Sequence, residues 1–176
     1  MLERLIGGSE AERFTSRASG LRGFKARHNL ATYYKEAGRL DDAVAQWHLA
    51  LAEQPGFLPP IFALGDGAVA RQDWAGLEEI MARLRALPNV AAEAEVYRAR
   101  AHHARGEFTA ALAILDGLLT ANPRLLSACI VRSKVLVDEG RDWVEAEQAL
   151  RVVLAMAPNH ADTRQNLDML LRRQAG

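Results

Sequence analysis

The sequence predicts an all-α solenoid of antiparallel helix-turn-helix repeats, with about four and a half repeats in 176 residues. Two observations carry this. Gly38 and Gly106, Ala43 and Ala111, and Pro55 and Pro123 are each 68 residues apart, twice a period of 34. A unit of that length is too small to bury its own apolar face and must stack on a neighbour. Within each unit, apolar residues recur at helical spacing, as in Leu30, Tyr33 and Tyr34 or in Ala43, Trp47, Ala50 and Leu51, so each helix is expected to carry a buried stripe.

Residues 1–23 stand before the repeats as a cap helix or a linker. Ser9 and Glu12 form a capping box opening a short helix that Gly20 would stop, whereas Gly7-Gly8 and the Ser16-to-Gly23 stretch have linker composition. Residues 24–176 then read as one solenoid domain. Its first unit, Phe24 to Phe57, carries Asn29-Leu30-Ala31, Tyr34, Gly38, Ala43, Trp47, Ala50 and Pro55. The second, Leu58 to about Asn89, keeps Leu64-Gly65 and Trp74 but has Leu77 and Leu84 where the first unit has Ala43 and Ala50, and its Pro88 arrives one position early. The third, about Ala92 to Leu125, restores Ala99, Gly106, Phe108, Ala111, Leu115 and Pro123. The fourth, Leu126 to His160, has Ser133, Leu136, Gly140, Ala146, Leu150 and Pro158, with one residue inserted near Asp142. Residues Ala161 to Gln174 repeat the first helix alone and put Asp168 at its small inner position, which reads as a solvated cap.

Each marker has a physical role. Gly38, Gly106 and Gly140 end the first helix of a pair, since glycine reaches the left-handed conformation freely. Ala31, Gly65, Ala99 and Ser133 share one position, where a larger side chain would hold the paired helix off. Leu40, Trp74, Phe108 and Trp143 share another, just after the turn, and with Trp47 the aromatics among them are expected in the core. Proline closes each unit, being tolerated at the next helix start but not within a helix. With these residues in four consecutive units, the chain resembles the tetratricopeptide repeat over residues 24 to about 174, which implies a right-handed superhelix. The run Gly20-Leu21-Arg22-Gly23-Phe24-Lys25-Ala26-Arg27-His28-Asn29-Leu30-Ala31, with Gly38-Arg39 and Gln46-Trp47, is also similar to the junction at which bacterial tetratricopeptide repeats follow a family 2 glycosyltransferase domain. That resemblance implies an accessory module that positions an acceptor or mediates dimerisation. No glycosyltransferase active-site motif is present in this sequence.

With 22 basic and 22 acidic residues the chain is neutral, without the positive field that non-specific nucleic-acid binding needs. No apolar run approaches membrane-spanning length, and the start is too short and too charged for a signal peptide, so no membrane partner and a cytoplasmic location are expected. The single Cys129 reads as a buried, inert thiol in a reducing compartment.

Catalytic readings lose to packing ones. Gly65-Asp66-Gly67-Ala68-Val69-Ala70 fits a dinucleotide fingerprint, but no strand-helix-strand pattern surrounds it, and Gly65 holds the small packing position. His102 and His103 with Glu107 are the best metal candidates, yet adjacent helical residues face about 100° apart, so one ion could not easily take all three. No serine has a histidine and a carboxylate at motif spacing. The expectation is no enzyme, no cofactor and no metal.

The resemblance implies a concave groove lined by fixed positions of the first helices. Carried onto this chain these are Lys25, His28, Asn29 and Thr32, then Phe62, Ala63 and Asp66. The third unit adds Val96, Tyr97, Arg100 and His103, and the last two add Ile130, Lys134, Asn166 and Met169. The family's chaperone-tail clamp is absent, as is its asparagine ladder, since Ala63, Tyr97 and Val131 stand between Asn29 and Asn166. A non-catalytic scaffold that binds a partner's peptide or helix is the leading expectation. In that groove Phe62, Val96, Tyr97 and Ile130 would hold apolar side chains, and Arg100 and Lys134 would pair with carboxylates. A glycosyltransferase accessory module and a self-associating homo-oligomeric scaffold are the alternatives.

Overall fold

The structure, a computed structural model, describes residues 23–175. The capping box at Ser9 and the first residues of the glycosyltransferase-like junction lie outside them. Among the described residues there are nine helices and no strand: α1 Phe24–Glu36, α2 Leu40–Glu53, α3 Leu58–Arg71, α4 Trp74–Arg85, α5 Ala91–Ala104, α6 Phe108–Ala121, α7 Leu126–Glu139, α8 Trp143–Met156 and α9 Ala161–Ala175. This is the all-α architecture of paired helix-turn-helix units. The position shared by Leu40, Trp74, Phe108 and Trp143 is the first residue of every second helix.

One left-handed residue sets each turn between paired helices. Gly38, Gly106 and Gly140 have φ of 75°, 74° and 68°, and the second repeat places Gln72 there at φ 57°. In the first three turns the next residue donates its N–H to the carbonyl five residues back: Arg39 to Tyr34, Asp73 to Ala68 and Glu107 to His102. The degenerate repeat therefore keeps the turn without its glycine. In the fourth repeat two residues rather than one separate Gly140 from the next helix, and the inserted stretch supplies a cap. Asp142 accepts from the Val144 and Glu145 amides at 2.9 Å, as Asp73 accepts from Gly76 at 3.0 Å.

The described residues form two compact units, one ending at Leu64 and the other beginning at Gly65. In the first, α1 packs on α2 around buried Ala31, Ala43, Trp47, Ala50 and Leu51, and Phe24 meets Phe57 edge to face with ring centroids 4.8 Å apart. The expected stripe on α1 is not buried. Tyr33 is 63% exposed and Leu30 is exposed too, because at about 100° per residue they point away from Ala31, the one side chain of the helix that is buried.

In the second unit the hairpins α5–α6 and α7–α8 stack in order, with α4 against α5, α6 against α7 and α8 against α9. First helices also meet directly, α5 with α7 and α7 with α9. Val96, Ala99, Ala111, Leu115, Ala128 and Val135 form one buried cluster, and Leu136, Ala146, Leu150 and Leu170 the next. Leu77 and Leu84 are buried despite their size. Cys129 is a buried free thiol, and desolvation pushes its pKa up, which disfavours the reactive thiolate. Of the aromatics expected in the core, only Trp47 is fully buried. Trp74, Phe108 and Trp143 are half-buried, because the start of a second helix is the end of the hairpin rather than its middle. Basic side chains cover two of these rings, with Arg105 4.4 Å from the Trp74 centroid and Arg173 4.7 Å from that of Trp143.

Left-handed backbone costs a non-glycine residue about 1–2 kcal/mol, offset in part by glycine's larger unfolded-state entropy. Gln72→Gly is accordingly expected to raise unfolding stability by about 0.5–1 kcal/mol in urea titrations monitored by circular dichroism. No gain would mean that the Gln72 side chain contributes as much as its backbone loses.

Candidate functional site

Each side chain expected in the groove lies on a first helix. In the unit ending at Leu64, Lys25 and Asn29 are exposed on α1, while His28 and Thr32 are half-buried. The Thr32 hydroxyl donates to the His28 carbonyl at 3.0 Å and is spent within its own helix. The His28 ring stands edge-on to Phe57 at 5.6 Å, and burial lowers its pKa, favouring the neutral imidazole. Phe62 and Ala63 are half-buried on α3.

In the unit from Gly65, three of the expected residues come together. The Tyr97 hydroxyl donates to Asp66 Oδ1 at 3.0 Å, and Arg100 Nη1 donates to the same oxygen at 2.6 Å. The guanidinium also lies 4.7 Å from the Tyr97 ring centroid. The arrangement corrects two expectations. Val96 and Tyr97 are each only 3% exposed, so neither side chain is presented to a ligand. Arg100 is not a waiting cation, because Asp66 already satisfies it. Val96 belongs to the buried cluster with Ala99 and Leu115; for Tyr97 the cause is Gly65, where a β-carbon would stand 2.7 Å from the ring, and its absence is what lets the tyrosine sink in. That contact also assigns Gly65 to packing rather than to a phosphate-binding turn.

Beyond this cluster, His103 Nε2 meets Asp138 at 2.8 Å, and His102 meets Glu107 instead. Adjacent histidines thus take different carboxylates, and no group of three or more metal-capable side chains gathers among the described residues. Ile130 is half-buried on α7, and Lys134, one turn on, is exposed and pairs with no acidic side chain among the described residues. Asn166 is half-buried and Met169 exposed on α9.

No protein-family model matches the sequence, and no curated protein is similar to it. Solved structures are. A tetratricopeptide-repeat protein from Parabacteroides merdae superposes with a TM-score of 0.58 at 15% identity, over 90% of this chain and 75% of that one. A thermophilic tetratricopeptide-repeat protein from Thermus thermophilus superposes with 0.63 at 23% identity, over 86% of this chain and 83% of that one. This chain has the tetratricopeptide-repeat fold.

The tetratricopeptide-repeat stacking explains a feature that the sequence analysis missed. Polar links join first helices at one-period separations: Asp66 to Arg100 and Glu93 to Ser127 are 34 residues apart, and His103 to Asp138, across the repeat with the insertion, 35. Ser127 donates to Glu93 at 2.8 Å. Glu93, Ser127 and Asp138 were legible by pairing each first-helix polar residue with the one a period later. On α7, Arg132 likewise bridges Asp116 of α6 and Glu145 of α8, at 2.6 and 2.5 Å.

Burial, and then the Asp66 carboxylate, push the Tyr97 phenol well above its ordinary value. Above about pH 10 the unfolded chain therefore loses this proton while the folded one keeps it, so stability falls as pH rises, by up to about 1.4 kcal/mol per pH unit from this group. Comparing wild type with Tyr97→Phe in denaturant titrations from pH 9 to 11 isolates that slope. The variant is expected to be flatter, and equal slopes would show that Tyr97 ionises in the folded state.

Proposed function

We propose that this chain is a non-catalytic interaction scaffold that binds an extended peptide or a helix of a partner protein across its first-helix face. One observation carries the reading: Lys134 is the exposed, unpaired cation of α7, beside half-buried Ile130, while Arg100 and His103 on α5 already meet Asp66 and Asp138. An apolar shelf next to a single free cation suits a peptide in which an acidic residue adjoins an apolar one. Asn166, on the adjoining helix α9, offers amide hydrogen bonding to a peptide backbone. In the unit ending at Leu64, Lys25 and Asn29 provide a separate polar contact surface. A reducing, cytoplasmic setting is part of the proposal. It is supported by the buried free thiol of Cys129 and is compatible with the absence, among the described residues, of any helix long and apolar enough to cross a membrane.

The test is a peptide array probed with wild type and with Lys134→Glu. Wild type is expected to retain peptides carrying Asp or Glu beside an aliphatic residue. The variant should lose them by roughly tenfold or more in affinity. Retention of the same peptides at the same strength would remove Lys134 and its face from the binding surface.

A further inference from the structure

One face of α9 stands in water. Arg164, Asp168 and Arg172 follow one another at intervals of four residues and so form a line along the helix. With Ala161, Gln165 and Met169 they border an open depression of about 520 Å³. The opposite side of α9 is the packed one, with Thr163 and Leu170 buried. Two apolar side chains flank the charged line: Met169, 56% exposed, and Leu171, 38% exposed, which the 100° step of the helix puts on either side of it. Arg164 donates to the Pro158 carbonyl at 2.5 Å. Asp168 and Arg172 pair with no charged group among the described residues, although each is one helical turn from the other.

We propose that this face is the interface of a homodimer, in which α9 packs antiparallel on α9 of a second copy. A two-fold axis requires a surface complementary to itself, so that residue i meets residue j and j meets i. A lone anion followed one turn later by a lone cation meets that requirement when the helix is reversed. With the axis passing beside position 170, each Asp168 faces Arg172 of the other copy, Met169 faces Met169, and Leu171 faces Leu171. This self-complementarity selects a second copy over an unrelated helix. It also accounts for the carboxylate at the position where Ala31, Gly65, Ala99 and Ser133 are small and buried: another helix can cover this face only if it supplies a cation for Asp168. Exposed ion pairs add little affinity, so the association is weak, and the charges set its register.

The experiment is analytical ultracentrifugation of the full 176-residue chain over a wide concentration range at low salt. A concentration-dependent monomer–dimer equilibrium is expected. Asp168→Arg should weaken it by roughly tenfold or more, and Asp168→Arg combined with Arg172→Asp should restore it. All the substituted side chains are exposed, and helix content by circular dichroism checks that each variant folds. Met169→Cys gives a second readout, a covalent dimer formed under mild oxidation. A monomer at every concentration, a dimer indifferent to Asp168→Arg, a loss that the double variant does not regain, or a folded Met169→Cys protein that does not cross-link would each overturn the proposal.

Discussion

A small, buried residue at one position of each first helix is the constraint on which the other features depend. Ala31, Gly65, Ala99 and Ser133 hold that position and are all buried, and at Gly65 the group that closes in is the Tyr97 ring of the next first helix. Each turn between paired helices carries one left-handed residue, and first helices repeat at 34 residues, or 35 across the insertion. A fixed repeat length in turn brings side chains one period apart face to face on neighbouring first helices. Asp66 meets Arg100, and Glu93 meets Ser127, for that reason. The apolar spacing rule thus determines the polar contacts.

This explains which parts of the molecule could be read in advance. Turn glycines, the inserted residue before Trp143 and the buried state of Cys129 all follow from local patterns, and the structure places them as those patterns imply. Depth is different. Val96 and Tyr97 hold positions that line a groove in the repeat family, but whether such a side chain projects or sinks depends on the residue opposite. Here Gly65 removes a β-carbon and the Tyr97 ring takes its place. Aromatic side chains at helix starts posed the same problem, since their register was plain while their covering by Arg105 and Arg173 depended on residues elsewhere in the chain. Gln72 was hidden for another reason. A left-handed residue without glycine leaves no compositional mark, and only its place in the period identifies it.

The balance of 22 basic and 22 acidic residues also takes on meaning once the pairs are located. Ion pairs at a protein surface contribute little stability, so the links on the first-helix face matter less for holding the fold than for removing Arg100, His103 and Asp66 from the set of groups free to meet a partner. Among the charged groups left without an ion pair, those on α7 and α9 have a spatial logic. Lys134 stands alone beside an apolar side chain, where it can complement an acidic ligand. Asp168 and Arg172 stand one turn apart with opposite signs, where they can complement each other only across two copies. The same argument that withdraws Arg100 from the binding face therefore separates a surface suited to a foreign chain from one suited to the chain itself.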